Sequence, residues 1–221
     1  GLIILLIIVS LIMSLLLILF VINKSVIWKK GKNQVLISYG DLIKYSFKVK
    51  EKEKRIVVIP VNDTFETIVD EVDAEIDKPL VTAKSLHGLW INMMFQYMKL
   101  TQEELNTLIR QSLDMQGVKP SFTYSKEEKS RGNLNSYPLG TIAIVNGINN
   151  TVFYLLAISK FDENNNARAT KLQVRSAVDD LVDFYGKKGQ GYPINIPLIG
   201  TNFIRNKLNH YQSLKLISSC V

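Results

Sequence analysis

The sequence predicts an α/β fold: one apolar N-terminal helix followed by a domain whose mixed sheet is flanked by helices on both faces. Three observations predict it. The first 22 residues carry no charge, Ile56–Val61 is a short apolar run without alternation, and helical repeats fall between strand-like segments.

The run Gly1–Ile22 is interrupted only by Ser10 and Ser14. At about 1.5 Å per residue a helix of this length reaches roughly 30 Å, the thickness of a bilayer hydrocarbon core, so residues 1–23 are expected to be a transmembrane helix. A cleavable signal would need a shorter apolar core, a basic start and a small-residue cleavage site. Lys24, Lys29, Lys30 and Lys32 follow it. They mark residues 24–34 as a basic juxtamembrane linker, with the soluble domain on the cytoplasmic side, lysines against anionic lipid and Trp28 at headgroup level. The chain starts at Gly and reads as a fragment, with room for an earlier helix before it.

Residues 35–221 suit one domain with a full core. Val35–Ser38 reads as a strand and Tyr39–Asp41 as a turn. The mixed charges of Lys48–Arg55 read as a solvated loop. Ile56–Val61 reads as a strand buried on both faces of a mainly parallel sheet, ending in Asn62-Asp63. Thr101 and Glu104 form a capping box before a helix carrying Leu105, Leu108, Ile109 and Leu113, with Gly117 as the stop. Leu139–Val145 and Thr151–Ile158 read as a hairpin around Asn146-Gly147 and Asn149-Asn150. Asn164–Asn166 reads as a polar loop. Val174, Val178, Leu181, Val182 and Tyr185 define an amphipathic helix ending near Gly186. Tyr192–Leu198 reads as a strand, and Leu214–Ser219 as the start of a last strand.

Composition excludes several classes. Of the formal charge of +7, four lysines sit beside the apolar run, and no aromatic-rich basic groove or zinc spacing supports nucleic-acid binding. A lone Cys220 allows no internal disulfide and fits a reducing compartment. His87 and His210 with one cysteine make a structural zinc site improbable, so no metal and no cofactor is expected.

Gly40-Asp41-Leu42 after one strand, Ile59-Pro60-Val61-Asn62-Asp63 ending the next, Ser85-Leu86-His87-Gly88 before a helix, and Pro197-Leu198-Ile199-Gly200-Thr201 near the end resemble, in order and spacing, the segments of macro domains. That resemblance covers about residues 35–221 and implies an ADP-ribose-binding fold. It implies that Asp41, with Leu42 beside it, accepts from the adenine amino group and that Asn62, next to Asp63, faces the distal ribose. It implies that Ser85, Leu86, His87 and Gly88 take the place of the first diphosphate loop. Pro197 leads into the second, Gly200, Thr201, Asn202 and Phe203, with Arg205 just beyond. Physical chemistry agrees: glycine turns and helix N-termini present amides to a diphosphate, an ionised aspartate is a pure acceptor for an amine, and Phe203 can stack on a base or ribose. Plain alternatives stand beside these roles: Gly40-Asp41 as an ordinary turn, His87 as a helix-start residue, and Arg205 as a surface cation.

A macro-like domain on a membrane helix resembles the membrane effector of Thoeris-type bacterial antiphage defence. That implies a sensor of an ADP-ribose-derived signal, such as histidine-ADP-ribose from a TIR-domain enzyme, acting on the lipid membrane as a homo-oligomer. An ADP-ribosyl hydrolase and a membrane-tethered protein-interaction domain are the other readings. Thr201-Asn202 replaces the glycines that usually shape the ribose pocket, and no catalytic arrangement is legible, so no enzymatic activity is expected.

Overall fold

The computed structural model describes residues 1–22, 24–70, 80–161, 167–200 and 208–220. It divides into two compact units, Gly1–Tyr45 and Ser46–Val221.

In the first unit, α1 (Leu2–Ile22) is one continuous helix. Its large apolar side chains from Leu2 to Leu17 are 48% to 74% exposed. Among the described residues no helix is long and apolar enough to cross a membrane. The transmembrane segment expected over residues 1–23 is therefore not established by the fold. The basic linker expected over 24–34 is instead largely strand: β1 (Lys24–Lys30) pairs antiparallel with β2 (Asn33–Ser38). Gly31, at φ +61°, gives the tight turn a conformation that L side chains resist. Sequence alternation hid β1, because a register shift between Val26 and Trp28 breaks its period. The short helix α2 (Leu42–Lys48) begins at the end of this unit.

The second unit is built on β3 (Arg55–Asn62), where the apolar run predicted a doubly buried strand. Val57, Val58 and Ile59 are fully buried, and each such side chain contributes about 1.5–3 kcal/mol relative to exposure. The chain continues through β4 (Val69–Asp70), β5 (Val81–Thr82), α3 (Leu86–Met98) and α4 (Gln102–Met115). Then come β6 (Phe122–Thr123), β7 (Asn135–Ser136), β8 (Ile142–Asn146), β9 (Thr151–Phe161) and β10 (Ala167–Arg168). Last are α5 (Lys171–Lys188), β11 (Ile194–Asn195) and α6 (His210–Ser218).

Parallel pairing of β3 with β9 on one side and β11 on the other makes the middle of the sheet. On the far edge of β9, β8 pairs antiparallel with its first half and β10 with its last two residues, so the sheet is mixed. Ile56, Val58, Tyr154, Leu156 and Ile158 pack with Val174, Ala177, Val178 and Leu181 of α5 and Leu216 of α6. Alternation sends Val57, Ile59, Phe153 and Leu155 to the other face, where Trp90 of α3 meets Phe153 edge-on at 5.7 Å. Helices thus cover both faces, as expected.

The capping box at Thr101 and Glu104 forms in both directions, with Thr101 N donating to Glu104 Oε2 and Glu104 N to Thr101 Oγ1. The β8–β9 hairpin forms as well, with Asn149 and Asn150 both at positive φ in its turn. Three boundaries differ from expectation. The helix expected to stop near Gly186 runs on to Lys188 and caps at Gly189, and the strand expected over Tyr192–Leu198 shrinks to β11. Leu214–Ser219 is helix rather than strand: Asn209 and Gln212 form a capping box, and Ser213 and Leu216 bury at helical spacing. Arg55, which ended the expected solvated run, is buried, its Nε donating to Thr151 Oγ1 and its Nη2 to the carbonyls of Ser46 and Val49. The loop expected at Asn164–Asn166 lies outside the described residues.

Candidate functional site at the carboxyl end of the parallel strands

The carboxyl ends of parallel strands are where α/β sheets leave a crevice for ligands. Here β3 ends in a run that stays buried although it is polar: Asn62, Asp63, Thr64, Glu66 and Thr67 are each at most 5% exposed. The Asn62 side chain organises it, its Oδ1 accepting from Thr64 N at 3.2 Å, Thr64 Oγ1 at 3.1 Å and Glu66 N at 3.1 Å. This Asx-type cradle holds Phe65 at φ +49°, a conformation that costs a non-glycine residue on the order of 1–2 kcal/mol. Phe65 packs edge-on against Tyr137 at 5.6 Å, which helps to hold that conformation.

Glu66 is fully buried and its carboxylate is well supplied with donors. Oε1 accepts from the amides of Thr67 and Ile68, and Oε2 from Asn133 N and from Lys129 Nζ at 3.3 Å. Lys129 also donates to Thr64 Oγ1 and to the Asn133 carbonyl, and it lies over the rings of Tyr124 and Phe161. Because Phe161 is the last residue of β9, the ends of both parallel strands meet in this cluster. Gly132 is required there: at φ +79°, any Cβ would collide with Glu66 Oε2.

Asp63 differs from its neighbours. One oxygen accepts from Ser136 Oγ at 2.5 Å, and Oδ1 is buried with no hydrogen-bond partner among the described residues. Burial pushes its carboxyl above the ordinary aspartate range, opposed by the Ser136 hydrogen bond and by the charges of Lys160 and Lys129.

The loop connects to the next expected segment through β4 and β5, which pair in parallel. Asp70 receives Arg131 on both oxygens and the amide of Leu80. Ser85 then caps α3: its hydroxyl donates to the Thr82 carbonyl and accepts from Gly88 N at 2.9 Å. Asn62, Asp63, Ser85, Leu86, His87 and Gly88 therefore belong to one connected stretch of structure. The four from Ser85 to Gly88 form a cap and first helical turn rather than a free glycine loop. The amides of Leu86 and His87, at the open end of α3, have no acceptor within the helix, and the helix dipole favours an anion there. Gly88 has a packing reason: a Cβ would lie 2.2 Å from the Thr82 carbonyl oxygen. His87 is buried against Trp90, ring centroids 6.2 Å apart, and burial pulls its imidazole down to about 3. It is neutral at physiological pH.

Parallel pairing directs the exit of β11 toward the same end of the sheet. Pro197 is half-buried and Ile199 is buried, its amide accepted by Ser213 Oγ of α6. Gly200 turns at φ +83°, and its carbonyl accepts from Leu208 N. Thr201, Asn202, Phe203 and Arg205 lie outside the described residues. Asp41 and Leu42 belong to the first unit, where Asp41 caps α2 through Oδ1, which accepts from Lys44 N at 2.9 Å. Among the described residues no group of three His, Cys, Asp or Glu is gathered to hold a metal ion.

Sequence reading missed Glu66, Lys129, Asn133 and Ser136. The one local signal was the polar run after a buried strand. Lys129, Asn133 and Ser136 reach that run across more than sixty residues, as with Lys129 and Glu66 at a separation of 63.

The family model of the macro domain of the Thoeris protein ThsA matches residues 35–221. Among curated proteins none matches at a significant level.

Proposed function

Since the chain belongs to the family of the ThsA macro domain, we propose that it is a sensor: it binds an ADP-ribose-derived nucleotide signal and acts on a membrane in antiphage defence. One observation carries the binding half. The buried polar loop Asn62–Thr67 and the open N-terminus of α3 lie along one connected stretch at the carboxyl end of β3, which offers hydrogen-bonding groups for a ribose and helix amides for a diphosphate.

In this reading an ionised Asp41, with Leu42 beside it, is an acceptor for an adenine amino group. Asn62 and Asp63 face the distal ribose. The first turn of α3 and the Gly200 turn, with Thr201, Asn202, Phe203 and Arg205, hold the diphosphate. The signal is a product of a TIR-domain enzyme, histidine-ADP-ribose being one form. The protein works as a homo-oligomer whose equilibrium the ligand shifts by binding one state more tightly.

The membrane half rests on α1. Its support is the sequence, in which Gly1–Ile22 carries no charged side chain over a length that as a helix would match a bilayer core of about 30 Å. A surface of exposed Leu, Ile and Met along its described part is unfavourable in water and favourable in a bilayer. The lysines after it put the ligand-binding domain on the cytoplasmic side.

Calorimetry of the full chain in mild detergent against ADP-ribose, histidine-ADP-ribose and cyclic isomers tests the reading. A sensor binds at least one of them and returns it intact from incubation with excess protein. Repeated release of free ADP-ribose makes the protein a hydrolase, and no binding to any of the panel removes the nucleotide reading.

A further inference from the structure

The hairpin β1–β2 carries an exposed apolar zone followed by a cluster of lysines. Nearest α1, Lys24 and Ser25 pair with Ser38 and Ile37. Beyond them come Val26, Ile27, Trp28 and Leu36, 57%, 47%, 49% and 44% exposed. At the turn end stand Lys29, Lys30 and Lys32, all exposed. Only Asn23 separates the end of α1 from Lys24, and no acidic residue occurs before Asp41. The register sets Lys24 against Ser38, Val26 against Leu36 and Lys30 against Asn33, so the apolar zone lies along the strands between Lys24 and the lysine-bearing tip.

A two-stranded hairpin is marginally stable in water by itself, and one with large apolar groups exposed on both strands needs a surface to cover them. We infer that this hairpin is a headgroup-docking element: its apolar zone sits at the acyl boundary, and its lysine-bearing tip engages the phosphates of anionic lipids. The apolar residues, the indole and the three tip lysines follow one another within a few residues of α1, the mixture of groups that suits the boundary between acyl chains and charged phosphates. Charge complementarity selects an anionic lipid surface over a protein partner, because the lysines at the tip have no carboxylate neighbour in the segment. The inference rests on α1 being in the membrane, and it adds that the following segment is a folded reader of lipid charge rather than a tether.

The full chain, reconstituted into phosphatidylcholine vesicles with and without phosphatidylglycerol, carries its own probe. Its two tryptophans differ, since Trp90 is fully buried and serves as an unquenched reference. Lipids brominated near the headgroup should quench a fraction of the emission in anionic vesicles, and Trp28→Phe should abolish that fraction. Lys29, Lys30 and Lys32 replaced together by Gln should shift the ratio of docked to free hairpin by on the order of 100-fold, emptying the quenched fraction. Chains that float with the vesicles but show no Trp28 quenching would overturn the docking and leave the anchor standing. Quenching that ignores both the lysines and the lipid charge would overturn the assignment to anionic headgroups. Trp28 shielded from brominated lipid but cross-linking to another copy would give the surface to self-association. A chain that fails to float removes the anchor reading and this inference with it.

Discussion

His87 makes a sharp physical prediction, because a neutral buried imidazole ties stability to pH. Its ring is buried in the first turn of α3, against Trp90, and desolvation lowers it from 6.5 to about 3. The positive end of the helix dipole acts in the same direction. Since the folded value is depressed, the unfolded chain binds the extra proton between those limits. The contribution is therefore complete above the unfolded value and is lost as pH falls from there toward the folded one. From about pH 7 to about pH 5, linkage gives a loss of about 2 kcal/mol from this one group. Asp63 acts oppositely, its carboxyl being raised by burial, so the whole protein's pH profile mixes the two. A double difference isolates His87. His87→Phe keeps an aromatic ring against Trp90 and removes the titration. Urea unfolding of both proteins at the two pH values, in mild detergent and followed by tryptophan fluorescence, should show the wild type losing about 2 kcal/mol more than the variant. Any packing change in the variant is pH-independent and cancels. A double difference within about 0.5 kcal/mol of zero would refute the reasoning and mean that the native imidazole accepts a proton without opening the fold.

Other substitutions test the rest of the site. Gly88→Ala adds a better helix former, yet its Cβ would meet the Thr82 carbonyl oxygen at 2.2 Å; thermal unfolding should therefore report a loss of about 1–3 kcal/mol, not a gain. Lys129→Met leaves the buried Glu66 carboxylate without its cation and should cost about 3–5 kcal/mol in denaturant titration. Adding Glu66→Gln should recover part of that loss, and simple additivity would show the pair to be uncoupled. Gly200→Val forces a β-branched residue to φ +83° and should both lower the melting temperature and abolish binding of ADP-ribose-type ligands in calorimetry. Retained affinity would move the diphosphate elsewhere. Asp41→Asn keeps a side chain able to cap α2 but removes the charge, so ligand affinity should fall about 10- to 100-fold with stability nearly unchanged; equal affinities would mean that Asp41 is a cap and nothing more.

The sequence by itself determined the features that a few neighbouring residues encode. Ile56–Val61 had no alternation because both faces of β3 are covered, and its apolar side chains say so without any partner being known. Thr101 and Glu104 cap each other across three residues, and the asparagines between β8 and β9 supply the positive φ that their turn needs. The order of glycine-bearing and polar segments was enough to name a fold. Tertiary structure decided whatever depended on a distant partner. Leu214–Ser219 was ambiguous by composition and became helix because Ser213 and Leu216 of α6 bury together while the Ser213 hydroxyl accepts the Ile199 amide. Gly88 looked like a phosphate turn and is fixed by the approach of the Thr82 backbone. Glu66 carried only the polarity of its run and Lys129 no local signature, since a buried charge is tolerable only when its counter-charge is in place, and that arrives from a loop that the fold, not the neighbouring sequence, delivers.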